Sequence, residues 1–262
     1  GNSMILEEIA ENTREKLKKR KSEKPPAILR REAEAMAGNT GFPFLRAMKK
    51  PGLSFICEVK KASPSKGVIA EDFPYLSIAR EYEEAGADAI SVLTEEDYFQ
   101  GSCEYLRKIS RAVGIPTLRK DFVVDDYQIF EAKVLGASAV LLFSALLDKG
   151  QLREYLALCR ELGLSALTEA HTMETARKAL EAGAEILGTN NRDLKTFRVD
   201  TSVSVRLRRE LPKDIVFVSE SGIKTREDVR VLEEAGADGV LIGETFMRSP
   251  DKRKMLEHLK GI

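Results

Sequence analysis

From Leu53 onward, short apolar, β-branched runs alternate with longer segments whose apolar residues recur at helical spacing. The runs are residues 55–60, 89–93, 117–120, 139–142, 166–169, 186–190, 216–219 and 239–242. Each has the length of a buried strand and is too short for a typical helix. Lys60 and Ile242 stand 182 residues apart, so the seven intervals average about 26 residues, one strand and one helix each. About fifty residues of helical pattern come first. Residues 4–21 place Ile5, Leu6, Ile9 and Leu17 on one side, and their basic end (Lys16, Lys18, Lys19, Arg20, Lys21) suits the negative end of a helix dipole. Pro25-Pro26 precedes a second helix over 27–36, and Phe42-Pro43 opens a short third one stopped by Pro51-Gly52.

A repeat sharpens this picture. Ala85-Gly86-Ala87-Asp88, Leu135-Gly136-Ala137-Ser138, Ala182-Gly183-Ala184-Glu185 and Ala235-Gly236-Ala237-Asp238 each read as a helix end with glycine in the left-handed cap, then a tight turn into a strand. The glycines lie 50, 47 and 53 residues apart, so this pattern precedes only the even-numbered strands. A two-unit period closing after four copies suits eight strands in a ring and sits awkwardly in an open sheet. The chain is therefore expected to form an α/β fold, a single (β/α)8 TIM barrel with right-handed crossovers and an N-terminal helical extension. Residues 4–262 are expected to be one domain, with the extension over 4–52 and the barrel core over 53–262. Gly1-Asn2-Ser3 ahead of Met4 reads as an expression remnant.

Composition removes several function classes. Lys plus Arg and Asp plus Glu both number 42, so no global field recruits nucleic acid or an anionic membrane. No run approaches a membrane span, and no secretory signal is read at the start. Cys57, Cys103 and Cys159 are far apart and lack a CxxC pair, so disulfides and a cysteine metal site are not expected, and a reducing cytoplasm fits. Two histidines, His171 and His258, cannot build a histidine-rich zinc site. No GxGxxG marks a dinucleotide.

Chemistry concentrates at the strand ends. Strand one ends in Glu58 and Lys60, two apart and so on one face. The second ends in Thr94-Glu95-Glu96, the third in Arg119-Lys120-Asp121-Phe122, and the fifth in Glu169-Ala170-His171. The sixth ends in Asn190-Asn191-Arg192-Asp193, the seventh in Ser219-Glu220-Ser221-Gly222, and the eighth in Gly243-Glu244-Thr245. Barrel enzymes build their sites at these carboxyl ends. Small residues after strands seven and eight, with a helix start beside them, are the usual barrel phosphate site. The residues thus point to an enzyme acting on a small, phosphorylated, anionic substrate. A phosphosugar isomerase, a Schiff-base aldolase using Lys60 or Lys120, and a barrel that only binds remain open at this point.

Glu58-Val59-Lys60-Lys61-Ala62-Ser63-Pro64-Ser65-Lys66-Gly67, Leu93-Thr94-Glu95-Glu96, Leu118-Arg119-Lys120-Asp121-Phe122, Asn190-Asn191-Arg192-Asp193-Leu194 and Ser219-Glu220-Ser221-Gly222-Ile223 resemble the motifs of the indole-3-glycerol phosphate synthase family. The match runs in order from about Met4 to the end. The resemblance implies conversion of 1-(2-carboxyphenylamino)-1-deoxyribulose 5-phosphate to indole-3-glycerol phosphate, carbon dioxide and water in tryptophan synthesis, without cofactor or metal. It implies no nucleic-acid or membrane partner, a cytoplasmic monomer or weak homodimer, and other tryptophan-pathway enzymes as possible partners.

Carried over by motif, Lys120 would be the general acid at ring closure and Glu169 would move protons during dehydration. Glu58 would hold the cationic groups, and Lys60 would meet the substrate's carboxylate or phosphate end. Asn190 and Arg192 would hold the anthranilate side, and Phe99 and Phe122 would wall the ring. Ser63, Glu220, Ser221, Gly222, Gly243 and Glu244 would complete substrate binding around the phosphate. The chemistry asks for an ammonium acidified by desolvation and neighbouring cations, expected at Lys120, and for a carboxyl with a raised pKa, expected to serve dehydration. Thr168 and Thr189, where the family usually has apolar residues, should face the helices, and Phe143-Ser144 stand where aliphatics are commoner.

Overall fold

The computed structural model describes residues 4–262; Gly1-Asn2-Ser3, read above as a remnant, lies outside the described residues. Eight parallel strands close into a barrel: β1 (Ser54–Val59), β2 (Ala89–Leu93), β3 (Thr117–Lys120), β4 (Ala139–Phe143), β5 (Ser165–Glu169), β6 (Ile186–Asn190), β7 (Val216–Glu220) and β8 (Gly239–Ile242). Each pairs with its chain neighbours, and β1 closes the ring by pairing with both β2 and β8, with Cys57 opposite Ile90 and Ile242. The extension supplies α1 (Met4–Glu23), α2 (Pro26–Glu34) and α3 (Pro43–Lys49). Around the barrel follow α4 (Tyr75–Ala85), α5 (Cys103–Ala112), α6 (Tyr127–Leu135), α7 (Lys149–Leu162), α8 (Met173–Ala182), α9 (Ser202–Glu210), α10 (Arg226–Ala235), the short α11 (Glu244–Met247) and α12 (Lys252–Lys260). A two-stranded hairpin, Ala62–Ser63 with Gly67–Val68, folds the loop after β1.

The four repeat glycines cap their helices in the left-handed conformation, with φ from 87° at Gly236 to 107° at Gly183. The same cap also occurs at Gly163 before the odd strand β5, so the device is wider than the repeat. Alternation along the strands divides the core in two. Outward residues such as Val92, Val140, Leu187 and Phe217 pack against the helices, while Ile56, Leu118, Leu141, Leu167, Val218 and Leu241 fill the barrel. Phe44 and Met48 of α3 join the inner core from the strands' amino ends, where Ser54 Oγ also donates to the Ala47 carbonyl at 2.6 Å.

The basic end of α1 meets carboxylates of the barrel rather than only its own helix dipole. Lys16 pairs with Glu96 and Asp97, Lys21 with Asp125, and Arg20 makes two bonds to Glu131 at 2.8 and 2.9 Å. Glu131 is shared with the fully buried Arg119, whose Nη1 lies 3.1 Å away and also donates to the Gln128 carbonyl at 2.7 Å. The helix is thereby tied to the strand that ends in Lys120. Thr168 and Thr189 face outward as expected and are buried. Among the described residues no helix is long and apolar enough to cross a membrane.

Candidate active site

The carboxyl ends of the strands open into a cleft of about 1100 Å³, measured to its solvent mouth. Glu58, Lys60, Ser63, Phe99, Lys120, Phe122, Glu169, Asn190, Arg192, Ser221, Gly222, Gly243 and Glu244 all line it. Glu220, expected among the substrate-binding residues, does not. It is 1% exposed and sits beneath the lining. The polar floor consists of one residue from each odd strand: Glu58, Lys120, Glu169 and Glu220. Alternate strands contribute to a common layer of a barrel.

Charge in this layer is arranged by contact. Lys120 Nζ donates to Glu58 Oε2 at 2.9 Å and lies 3.8 Å from Glu220 Oε1. Glu58 also accepts from Ser91 Oγ at 2.7 Å and lies 3.6 Å from Lys60 Nζ. Burial would push the Glu58 carboxyl up, but Lys120, Lys60 and Ser91 hold it below the usual carboxylate range. The two lysines diverge. Burial depresses Lys60, and Lys120 and Arg192 add to this, outweighing Glu58. Burial also opposes the charge on Lys120, yet Glu58, Glu220 and Glu169 raise its pKa. The acidified ammonium expected at Lys120 is therefore Lys60, because three carboxyls surround Lys120 whereas cations crowd Lys60.

The carboxyls diverge too. Burial and the adjacent Glu169 push Glu220 well above the usual range. Burial would raise Glu169 as well, but His171, the neighbouring Glu220 and Lys120 bring it lower. None of the four carboxyl oxygens of this pair has an aligned hydrogen-bond donor, and of the two carboxyls Glu220 is the one whose surroundings favour the protonated form. Gly188 leaves the room Glu220 occupies, since a Cβ there would stand 2.8 Å from Glu220 Oε2.

The walls are apolar on one side. Phe122 stacks on Phe143 with ring centroids 4.9 Å apart and lies 5.9 Å from Phe99. Ile5, Leu6 and Ile9 of α1 also border the cleft. Helical spacing alone puts these three on the apolar side of α1 and does not say what that side covers. Phe143, a departure from the aliphatic usual at its position, thus becomes part of the aromatic wall, and its neighbour Ser144 turns away to donate to the Thr175 carbonyl at 2.7 Å. Asn190 Oδ1 accepts from the Arg192 amide at 2.9 Å, and the Arg192 guanidinium donates to the Phe197 carbonyl, which fixes that loop against the cleft.

At the opposite end, backbone forms the wall. Ser221 and Gly222 take consecutive left-handed conformations, with φ of 70° and 76°. This turn after β7 leaves its backbone N–H groups free of a side chain at Gly222 and bordering the cleft, where an anion can approach them. Gly243 caps α11, and a Cβ on it would meet Glu58 Oε1 and the Lys60 side chain at 3.1 Å. Lys66 also borders this end, while the Glu244 carboxylate is drawn toward Arg248 at 3.0 Å. Among the described residues no cluster of three or more His, Cys, Asp and Glu side chains is spaced to hold a metal ion.

The family model described as indole-3-glycerol phosphate synthase matches residues 6–259. A protein of that name from Ruminiclostridium cellulolyticum is 51% identical over 258 residues, covering 98% of this chain and 99% of the relative. One from Lacticaseibacillus paracasei is 50% identical over 257 residues, covering 98% and 99%. Among solved structures, 3-hexulose-6-phosphate synthase aligns with a TM-score of 0.63 at 12% identity, covering 80% of this chain and 99% of that one. Thiamine phosphate pyrophosphorylase from Pyrococcus furiosus aligns with a TM-score of 0.61 at 19% identity, covering 83% and 96%. At those identities the two structures share the fold alone.

Proposed function

Because the chain belongs to the indole-3-glycerol phosphate synthase family, we propose how its cleft divides that family's reaction among named residues. The enzyme is a carboxy-lyase of tryptophan biosynthesis. It closes, decarboxylates and dehydrates 1-(2-carboxyphenylamino)-1-deoxyribulose 5-phosphate to indole-3-glycerol phosphate. The observation that carries the division of roles is the convergence of Glu58, Lys120, Glu169 and Glu220 from four odd strands beneath a cleft with an aromatic wall and a backbone-lined end.

The phosphate docks on the backbone of Ser221-Gly222 and Gly243-Glu244, with Ser63 beside it. The anthranilate ring lies against Phe99 and Phe122, and Asn190 and Arg192 hold that side. Lys60 meets the substrate's carboxylate or phosphate end. Lys120 then offers its proton to the carbonyl oxygen as the ring carbon attacks. That oxygen becomes alkoxide-like and more basic than an amine, so a raised ammonium pKa does not prevent transfer. It keeps Lys120 fully charged where negative charge develops. Loss of carbon dioxide neutralises the cationic nitrogen. Departure of hydroxide needs another proton, and the Glu169–Glu220 pair holds one. Glu220 thus serves as the proton store under Glu169 rather than as a substrate ligand.

Residues 4–52 and 53–262 act as one domain in this reading, since α1 borders the cleft. A cytoplasmic location fits the three free cysteines, and in this reading the chain works as a monomer or weak homodimer beside other enzymes of the pathway.

The test is a single turnover that follows carbon dioxide and indole fluorescence together, in a chain without Trp and hence with little background. Lys120→Met should bind substrate and release no carbon dioxide. Glu169→Gln should release carbon dioxide and form indole at least about a hundredfold more slowly. Carbon dioxide from Lys120→Met but not from Glu169→Gln would reverse the two roles, and full activity in both would place the chemistry elsewhere.

A further inference from the structure

The proposed reaction leaves the cleft short of one proton per turnover. The substrate carboxylate departs as neutral carbon dioxide, and its carbonyl oxygen departs as water after taking two protons. The closing ring gives only one proton back, from the carbon beside nitrogen. One proton must therefore enter from solvent in each cycle. Glu169 and Glu220 are each 1% exposed, and substrate in the cleft cuts them off from water on that side.

His171 approaches Glu169 from outside the cleft lining. Its Nε2 is buried 3.3 Å from Glu169 Oε2, close enough for a charge contact but without an aligned hydrogen bond to any partner, while the side chain as a whole is 29% exposed. One edge of the ring thus touches the inner carboxylate and another reaches solvent. Resting on the synthase activity above, we propose that His171 is the proton relay that reloads the Glu169–Glu220 pair from solvent while substrate occupies the cleft.

The transfer balances simply. The imidazolium passes its Nε2 proton to the Glu169 carboxylate and becomes neutral. Having lost its charge contact, the ring turns Nε2 toward solvent, takes a proton from water or a buffer acid, and returns. The surrounding groups favour the loaded form. Burial works against a charged ring, but Glu169 on β5, the Asn190 carbonyl on β6 and Asp193 in the following loop raise its pKa above the ordinary histidine value. The other charged groups facing the pair are Lys120 on β3, Glu58 on β1 and Glu220 on β7, and Lys120 is committed to Glu58 at 2.9 Å. His171 acts through Glu169 and is a positioning and relay residue rather than a catalytic one.

The experiment measures steady-state turnover of the full chain by indole fluorescence for the wild type, His171→Ala and His171→Asn. Asparagine keeps a polar side chain at the site but cannot titrate. Both variants should lose at least about tenfold in kcat with KM within about twofold, a smaller loss than the roughly hundredfold or more of a group that transfers a proton directly to substrate. Free imidazole should restore His171→Ala, with the recovery following the concentration of imidazolium as pH is varied. A purely structural role would not respond to imidazole in this way. If His171→Asn keeps the wild-type kcat from pH 6 to 9, or if folded His171→Ala gains nothing from imidazole, the relay is overturned. A wild type that forms no indole product would overturn the activity on which the relay rests, a result distinct from either of those.

Discussion

Thr168 and Thr189 occupy equivalent outward positions one residue before Glu169 and Asn190, yet valine should move their stabilities in opposite directions. Both residues are buried, at 0% and 1% exposure. The Thr168 hydroxyl has no hydrogen-bond partner. Thr189 Oγ1 donates to the Ala170 carbonyl at 3.1 Å, on a residue only 2% exposed. A buried polar group without a partner costs about 1–3 kcal/mol. Thr168→Val has nearly the same shape, removes that cost and should stabilise by about 1–2 kcal/mol. Thr189→Val leaves the Ala170 carbonyl unpaired and should destabilise by about 1–2 kcal/mol after the gain in apolar burial is counted. At about 2–4 °C per kcal/mol for chains approaching this size, the two melting temperatures should end up roughly 4–16 °C apart, on either side of the wild type. Differential scanning calorimetry at one scan rate reads this directly, with the fluorescence assay run on the same samples. Activity should stay within about twofold, because neither side chain reaches the cleft. A lower melting temperature for Thr168→Val would mean that its hydroxyl is bonded after all. A large activity loss with an intact fold would refute the outward placement of both residues.

Three further substitutions probe the cleft. Glu58→Gln removes the nearest carboxylate from Lys120, so the raised Lys120 pKa should fall and the alkaline limb of the kcat/KM profile should move to lower pH; an unmoved limb would dissociate Lys120 from that limb. Gly243→Ala is sterically allowed at φ −116° but brings a methyl 3.1 Å from Glu58 and Lys60, so it should reduce kcat/KM by about tenfold or more while the melting temperature barely moves. Gly222→Ala should instead lower the melting temperature, since that backbone is left-handed and its Cβ would stand 2.2 Å from Val199 Cγ1. Equal effects of the two alanines on stability would count against this separation.

The barrel was legible because its signals are local. A strand's two-residue alternation, the left-handed caps at Gly86, Gly136, Gly183 and Gly236, and the even spacing of the runs are all properties of neighbouring residues. Alternation also settles which side of each strand faces inward, and so directs Glu58, Lys60, Lys120, Glu169 and Asn190 into one cleft. Protonation was a different matter. Lys60 and Lys120 are the same residue type at similar strand ends, yet one is depressed and the other raised. The difference comes from distances between strands far apart in the chain: Lys120 touches Glu58 across 62 residues and lies near Glu220 across a further hundred. The same holds for Glu220, which ends a strand as Glu169 does but is sunk beneath the cleft in the room left by Gly188. It holds for α1 as well, whose basic end meets Glu131 and Asp125 of the barrel. Sequence spacing reports which face a side chain leaves from. The energy of its charge depends on which charges stand within a few ångströms, and closing the ring of strands decides that.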